Sequence, residues 1–117
     1  MPSSVLSAPM ASIGVPKEIK ADELRVALTP DGTRELVNQG LEVRVQSTAG
    51  AGAGIDDEAF AKAGAKIVSR EEAWAAHLVV KVKEPQDEEF RFLRKDMILF
   101  TYLHLAAYPK VGEALIA

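Results

Sequence analysis

The sequence predicts an α/β protein, a three-layer domain with a mostly parallel five-stranded sheet. Short apolar runs, typical of buried strands, alternate five times with segments that carry helix signals, and the loops between them are short. Hydrophobic residues make up 48% of the 117 residues, which is enough for the core of one domain or part of one. A helix between two successive strands can carry the chain back as a right-handed crossover, so this alternation predicts that the strands run parallel. We expect strands at residues 12–15, 41–46, 65–68, 78–83 and 97–103.

The first helix has a complete set of end signals. In "TPDGTRELVNQG", Thr29 is a good N-cap, Pro30 suits the first helical position and Gly40 can close the C-terminus. The strand before it is a short apolar run, and the strand after it, "LEVRVQ", alternates as a half-buried strand does. The order strand, helix, strand is therefore clear in the first third of the chain.

Helix signals also recur in the rest of the chain. The segment "SREE" is a capping box in which Ser69 pairs with Glu72, and it opens a helix that places Trp74 in the core. Helical spacing predicts three more helices, at residues 56–63, at residues 86–94, and from Pro109 onward. The last of these, "PKVGEALIA", runs to Ala117 with no capping glycine, so we expect a truncated product or the first part of a longer protein.

A glycine-rich loop, "AGAGAG", follows the second strand. A dinucleotide fingerprint needs its third glycine five positions after the first, but after Gly50 and Gly52 that position is Ile55. The next residues, Asp56 and Asp57, would repel a pyrophosphate at the helix N-terminus. We therefore expect a tight connection with no cofactor-binding residues.

Composition excludes several classes of function. The net charge of −3 argues against a nucleic-acid partner, and the absence of cysteine excludes disulfides and thiolate metal sites. His77 and His104 lack ligand partners at metal spacing, so no metal is expected. No apolar run approaches the ~20 residues that span a bilayer, and the first ten residues carry no secretory signal. We interpret residues 1–11 as a flexible tail and expect a cytoplasmic protein without a membrane partner.

Polar residues at the predicted strand ends suggest a ligand site, because ligands of parallel sheets bind outside the carboxyl ends of the strands. Arg25, Lys83 and His104 could converge there, and two cations with an imidazole suit a small α-keto acid. Arginine can bind its carboxylate through two bonds, lysine its carboxylate or keto oxygen, and histidine can transfer a proton. The other polar residues near these strand ends are Lys17, Glu18, Lys81, Glu84 and Tyr108.

Each of these residues also has a structural explanation. Arg25 lies in a charged loop, where a solvated surface ion is common, and Lys81 alternates with Lys83, so both would face the same side of the strand. His104 lies in the apolar context "TYLHLAAY", where a histidine hydrogen-bonded to backbone is common. The combination of the three candidates is more informative than any one of them.

Four long segments resemble the N-terminal part of alanine dehydrogenases. They are "IGVPKEIKADELRVALTPDGTRELVNQG", "AGAGAGIDDEAFAKAGAKIV", "VVKVKEP" and "LFTYLHLA", which lie in the same order and cover about residues 13–117. Two small departures are Asp22, where the family usually has Asn, and Thr33, where it usually has Val.

The resemblance implies NAD-dependent oxidative deamination of L-alanine to pyruvate and ammonium, and the reverse reaction. It implies a subunit of two Rossmann-like domains, commonly in a homo-oligomer, of which residues 12–117 are an incomplete substrate-binding domain. By motif, Arg25 is similar to the substrate-carboxylate arginine, Lys83 to the substrate lysine and His104 to the catalytic histidine. The glycine run resembles a part of the substrate domain. The NAD domain has no counterpart here, so we expect no bound NAD and no activity from 117 residues alone.

Two alternatives remain open. The N-terminal domain of proton-translocating nicotinamide nucleotide transhydrogenase has a similar opening strand, loop and helix, although "KVKEP" and the histidine of "TYLHLA" resemble the dehydrogenases instead. A truncated, non-catalytic remnant that only binds other subunits is the second. A phospho-receiver domain fits poorly, because Lys17, Glu18 and Ser69 occupy the places where its acidic residues would stand.

Overall fold

The computed structural model describes residues 11–102, and these form a five-stranded sheet. All four strand pairings are parallel, in the order β3-β2-β1-β4-β5, so the first strand lies in the middle. The sequence-based prediction of a mostly parallel α/β sheet is confirmed. The strands are β1 (Ser12–Val15), β2 (Glu42–Gln46), β3 (Lys66–Val68), β4 (Leu78–Lys83) and β5 (Ile98–Tyr102).

Two α-helices begin at the predicted caps, Thr29 and Ser69, and a third begins after Asp56, which was expected inside the helix. In α1 (Pro30–Asn38) the Thr29 side chain accepts a hydrogen bond from the amide of Gly32. In α2 (Asp57–Lys62) the Asp56 side chain accepts one from Ala59. A complete capping box between Ser69 and Glu72 opens α3 (Arg70–Trp74). The capping side chains accept hydrogen bonds from amides of the first turn, which have no carbonyl partner within the helix.

The two faces of the sheet are covered by different helices. On one face, Val15 of β1 and two valines of β2 form a core with Phe60 of α2, against which Leu36 and Val37 of α1 pack. On the other face lies α3, where the guanidinium of Arg44 donates to the carbonyl of Glu72 at 3.2 Å. Adjacent strand residues point to opposite faces, so β1 and β2 are each covered from both sides. This is the three-layer arrangement that the alternation predicts.

Gly14 is required by the close packing of α3 on the central strand. A Cβ atom at this position would lie 1.8 Å from the carbonyl oxygen of Ala73 and 3.0 Å from the Cβ of Ala76. A real Cβ could not occupy that space, so the backbone of α3 approaches β1 where no side chain intervenes. Arg94 then secures the end of α3 by donating to the carbonyl of Trp74 at 2.7 Å and to that of Ala76 at 2.6 Å.

The structure differs from the sequence-based prediction in the 86–94 segment. A 3₁₀ helix, Asp87–Phe92, stands there in place of an α-helix. Its hydrogen bonds span three residues, from Glu89 N to Gln86 O at 2.8 Å and from Leu93 N to Phe90 O at 3.1 Å. The Phe92 ring stacks on Trp74 with centroids 5.4 Å apart, so tertiary packing holds this segment in addition to its own backbone hydrogen bonds.

Several predicted features lie outside the described residues. These are the flexible tail up to residue 10, the last residue of the predicted fifth strand, the helix from Pro109, and the side chains of His104 and Tyr108. Within residues 11–102, no helix is long and apolar enough to cross a membrane.

Replacing Gly14 with alanine should destabilise the chain by more than the same change at Gly40. The added methyl group at residue 14 would force α3 away from β1, at a cost of about 1–3 kcal/mol or more, as for overpacked cores. Among the described residues nothing lies within 4 Å of a methyl group added at Gly40, so the cost there is that of its left-handed backbone (φ 90°). Urea unfolding of the two variants measures both costs, and equal losses would contradict close packing at Gly14.

Candidate functional site

The candidate site lies where the chain leaves β1 and β4. These strands are neighbours in the sheet, but β1 leads to β2 on one side and β4 leads to β5 on the other. In open α/β sheets, such a switch point leaves a crevice at the carboxyl ends of the strands, and ligands bind there. Arg25 follows β1 after a short loop, and Lys83 is the last residue of β4.

Arg25 is exposed at the crevice and is held by a neighbouring carboxylate. Its Nε donates to one oxygen of Glu23 at 2.9 Å and its Nη2 to the other at 2.8 Å, while its backbone amide also donates to Glu23 at 2.9 Å. These hydrogen bonds lower the pKa of Glu23 to about 2 and raise the pKa of Arg25 above its ordinary value. Glu23 is therefore ionised at neutral pH, and it fixes the orientation of the guanidinium.

Lys83 lies close enough to this pair to affect it electrostatically. Its positive charge adds to the larger effect of Arg25 in lowering the pKa of Glu23, while burial acts in the opposite direction. The structure thus brings Arg25 and Lys83, two of the three predicted site residues, to the same end of the sheet. The third, His104, lies outside the described residues, so its position relative to them stays a prediction.

Lys81 does not belong to the exposed rim, which corrects the sequence-based placement beside Lys83. Its side chain is 1% exposed, with Nζ 2.9 Å from Glu18 Oε1 and 3.5 Å from Glu89 Oε2. The two lysines alternate in sequence as expected, but Lys81 lies deeper in the strand, where buried carboxylates neutralise it. A buried lysine without such partners would be costly, so the two glutamates determine where it can lie.

The sequence analysis placed Glu18 among the polar residues at the strand ends, and it did not predict that Glu18 and Lys81 form a buried ion pair. Glu18 is 1% exposed and accepts from Val82 N at 2.8 Å and Lys83 N at 3.2 Å, in addition to Lys81. Burial raises the pKa of Glu89, although the charge of Lys81 opposes this effect. The strict alternation of Lys81 with valines inside an apolar strand was the one available signal for a buried cation.

A second ion pair, between Lys20 and Glu84, lies at the same end of the sheet as the buried pair of Glu18 and Lys81. Lys20 Nζ lies 2.7 Å from Glu84 Oε1, and the Glu84 side chain is 1% exposed. Burial alone would raise the pKa of Glu84, but the hydrogen bond from Lys20 and further bonds lower it overall. The loop after β1 is thus tied to β4 and to the residue that follows it by two carboxylates, Glu18 and Glu84.

An apolar cavity of about 640 Å³ adjoins Arg25. It is lined mainly by the segment that follows Arg25, Val26 to Thr29, and by Leu78, Val80 and Val82 of β4. Phe100 of β5 forms another wall and is 72% exposed. A cavity with apolar walls and an arginine at its border suits a small molecule that carries one carboxylate and a short apolar group.

The glycine loop supports the Arg25 segment and is not a phosphate cradle. It forms a 3₁₀ turn, Ala51–Ala53, as the expected tight connection. A Cβ at Gly52 would lie 2.9 Å from the carbonyl oxygen of Leu24, so glycine lets the loop contact the residue before Arg25. The Asp57 carboxylate accepts from the amide of Thr48 at 2.8 Å and from the Ser47 hydroxyl at 2.9 Å, which places a negative charge where a phosphate would sit.

The positive charges at the carboxyl end of the sheet give the described part of the chain a means of anion recognition. Between residues 11 and 102, no group of three or more histidine, aspartate or glutamate side chains could hold a metal ion. Arg25 and Lys83 supply positive charge at one rim, and a guanidinium paired on one edge still has donors on another. The arrangement can bind and orient a small carboxylate.

Comparisons with known proteins identify close relatives. The family model "Alanine dehydrogenase/PNT, N-terminal domain" matches residues 14–117. An alanine dehydrogenase from Bacillus subtilis is 52% identical over 104 residues, which are 88% of this chain and 28% of the relative. The chain therefore spans little more than a quarter of the length of the curated relatives that it matches.

Solved structures give the same result. An L-alanine dehydrogenase structure matches 90% of this chain and 29% of its own, with a TM-score of 0.88 and 49% identity. A transhydrogenase from Sinorhizobium meliloti matches 89% of this chain and 31% of its own, with a TM-score of 0.83 and 26% identity. The fold is common to both kinds of protein, and the sequence is nearer to the alanine dehydrogenases.

Replacing Glu89 with glutamine should change the pH dependence of stability. The folded-state pKa of Glu89 is raised by burial, so the native chain keeps this proton after the unfolded chain has lost it. The native state therefore loses stability as the pH rises from the ordinary value of 4.5 through the raised value, with a slope of at most about 1.4 kcal/mol per pH unit. Glu89→Gln removes this loss, so its unfolding free energy relative to wild type should increase over that pH range.

Urea titrations at several pH values measure this difference in unfolding free energy, with the exposed Glu88→Gln as the control. A difference that stays constant with pH would contradict the prediction.

The glycine loop should not bind a nucleotide. The Asp57 carboxylate accepts from the Thr48 amide and adds negative charge to the tight turn, so NAD should cause no saturable chemical-shift changes at residues 50–54. Titration of the isotope-labelled chain with NAD, followed by NMR, tests this expectation. Saturable shifts centred on Gly50 and Gly52 would refute it.

Proposed function

The chain belongs to the family of alanine dehydrogenase and PNT N-terminal domains, and from that premise we propose that it is the substrate-binding part of an NAD-dependent alanine dehydrogenase. The proposed reaction is the oxidative deamination of L-alanine to pyruvate and ammonium, or its reverse. The observation that carries the proposal is the pairing of Arg25 with Glu23 beside Lys83, at the switch point of the sheet. The identity of about half of the residues with the Bacillus subtilis alanine dehydrogenase supports the substrate class.

Arg25 is proposed to bind the carboxylate of alanine or pyruvate. A guanidinium has five N–H donors, and the side-chain bonds to Glu23 use Nε and one hydrogen of Nη2. Within residues 11–102 no partner occupies the edge formed by Nη1 and Nη2, where a second carboxylate can accept two parallel hydrogen bonds. Glu23 thus orients the arginine without occupying the edge that a substrate needs.

Lys83 and His104 are proposed to act at the other end of the substrate. Lys83 would donate to the carboxylate or the keto oxygen and stabilise negative charge there. His104 would transfer a proton to or from the reacting group, because an imidazole is both acid and base near neutral pH. The methyl group of alanine or pyruvate is small, and the apolar cavity beside Arg25 can receive it.

The nicotinamide cofactor is proposed to bind outside the described residues. The glycine loop does not fit NAD, because Asp57 occupies the amide that a phosphate would need. We therefore assign residues 12–117 to substrate binding, expect no hydride transfer from these 117 residues alone, and infer that the active protein is a cytoplasmic homo-oligomer.

The transhydrogenase relative leads to a second candidate function. Its structure has a TM-score of 0.83 with this chain, so the fold alone does not separate the two activities. A domain that only exchanges hydride between nucleotides needs no keto-acid site, and Arg25 and Lys83 would then be dispensable. A remnant that only binds other subunits would likewise not need them. The kinetic roles of these residues discriminate between the candidates.

Substitutions at Arg25 and His104 should have different kinetic effects. The assay uses a hybrid in which this chain replaces the corresponding segment of the Bacillus subtilis alanine dehydrogenase. Arg25→Ala removes a charge-assisted contact to the substrate, so we expect KM for pyruvate to rise by about 10–150-fold. His104→Ala removes proton transfer in the transition state, so we expect kcat to fall by about 10²–10⁴-fold.

Arg34→Ala is the matched control for Arg25. Arg34 is an exposed arginine of α1 and forms a comparable surface ion pair, with Asp31 at 3.1 Å, so its removal should leave both constants unchanged. Wild-type kinetics in both site variants would show that the site assignment is wrong. Reduction of NAD by alanine with the 117-residue chain alone would contradict the separation of substrate and cofactor binding.

A further inference from the structure

The strand that ends in Lys83 loses its regular pairing before it reaches that residue. β4 pairs with β1 at its first two residues, Leu78 and Val79. Its register with β5 is regular from Leu78 to Val80 and shifts before the pair formed by Lys83. A shift of this kind marks a bulge, which changes the direction of the strand and of the side chains that follow.

The carboxylate of Glu18 binds the strand at this irregularity. Its Oε2 accepts from the amide of Val82 at 2.8 Å, and its Oε1 accepts from the amide of Lys83 at 3.2 Å. Consecutive amides of a regular strand point to opposite sides, so one carboxylate can bind both only where the strand is distorted. The buried carboxylate and the bulge therefore depend on each other.

The charge of Glu18 is matched inside the protein. Lys81 Nζ donates to Glu18 Oε1 at 2.9 Å, and both side chains are 1% exposed. Glu89 lies on the other side of Lys81, with Oε2 3.5 Å from Nζ. A buried carboxylate with three donors is strongly held, so it can fix the part of β4 that extends beyond its pairing with β1.

We propose that Glu18 is a positioning residue: its carboxylate holds the bulged end of β4 and thereby places Lys83 at the rim beside Arg25. This inference rests on the proposed function, because it assigns Glu18 an effect on substrate through Lys83. A lysine side chain is long and flexible, so the position of its ammonium group depends on how firmly its own backbone is fixed. Glu18 lies in the loop that leads from β1 to Arg25, so the loop that carries one proposed substrate contact also holds the backbone of the other.

Amide exchange in the 117-residue chain tests the local contact. In Glu18→Gln, one carboxylate oxygen is replaced by an NH₂ group, which cannot accept a hydrogen bond, so one of the two amides loses its acceptor. Hydrogen exchange at Val82 and Lys83 should therefore accelerate by about tenfold or more. The amide of Val79, within the regular part of β4, should keep its exchange rate. Unchanged exchange at Val82 and Lys83 would overturn the inference.

A double-mutant cycle in the hybrid enzyme tests the functional effect. Glu18→Gln should lower kcat/KM for pyruvate by about 10–100-fold, the range expected when a contact group is displaced by about 1 Å. In a Lys83→Ala background, Glu18→Gln should have little further effect, because the group that it positions is gone. A residue that merely stabilises the fold would instead give additive effects, and additivity would overturn the inference.

The outcomes separate this inference from the proposed function. If Lys83→Ala leaves the kinetics unchanged, the substrate site itself is wrong, and the positioning role falls with it. If Lys83→Ala is damaging and Glu18→Gln is harmless, the positioning role alone is wrong. Should Glu18→Gln yield too little folded protein, the triple variant Glu18→Gln, Lys81→Met and Glu89→Gln removes all three buried charges together and leaves no unpaired ion among them. This triple variant should retain the fold and still show the loss in kcat/KM, and wild-type kinetics in it would refute the role.

Discussion

The central strand β1 is the constraint on which the rest of the structure depends. All four of its residues are buried, and it has a strand on either side and helices above and below. It can be covered so closely because Gly14 has no side chain where α3 crosses. The chain then leaves β1 into the loop that carries Glu18, Glu23 and Arg25, so the position of the candidate site follows directly from the burial of this strand.

Carboxylates, more than apolar packing, organise the end of the sheet. Glu23 orients an exposed arginine, Glu18 binds the end of a strand, and Glu84 ties the loop back through Lys20. Each carboxylate is paired with a cation from another part of the loop or from β4, so the positive rim is built on a negative second layer. Such a layer keeps the arginine and lysine in place while their outward edges stay available to an anion.

The sequence predicted what depends on neighbouring residues. The helix caps at Thr29 and Ser69 are local signals that the structure reproduces, and each strand begins within one residue of its expected position. The convergence of Arg25 and Lys83 followed from the rule that parallel strands end at one edge. The buried pair of Glu18 with Lys81 was not predicted, because its members lie 63 residues apart and the alternation of Lys81 with valines does not identify its partner. The same limit applies to the segment 86–94, where helical spacing predicts a helix but does not reveal its 3₁₀ form. The stacking of Phe92 on Trp74 is a tertiary contact that local sequence cannot indicate.

The strand order also has a consequence for the time course of folding. β1 can pair early with β2, the next strand along the chain, and β2 with β3. The other side of β1 must wait for β4, whose approach joins Ser12 to His77 across 65 residues. Closing so long a loop costs chain entropy before any contact compensates it, so we expect β4 and β5 to dock onto a preformed three-stranded unit. The crevice that contains Arg25 and Lys83 lies at that junction, and it would be among the last features of the molecule to form.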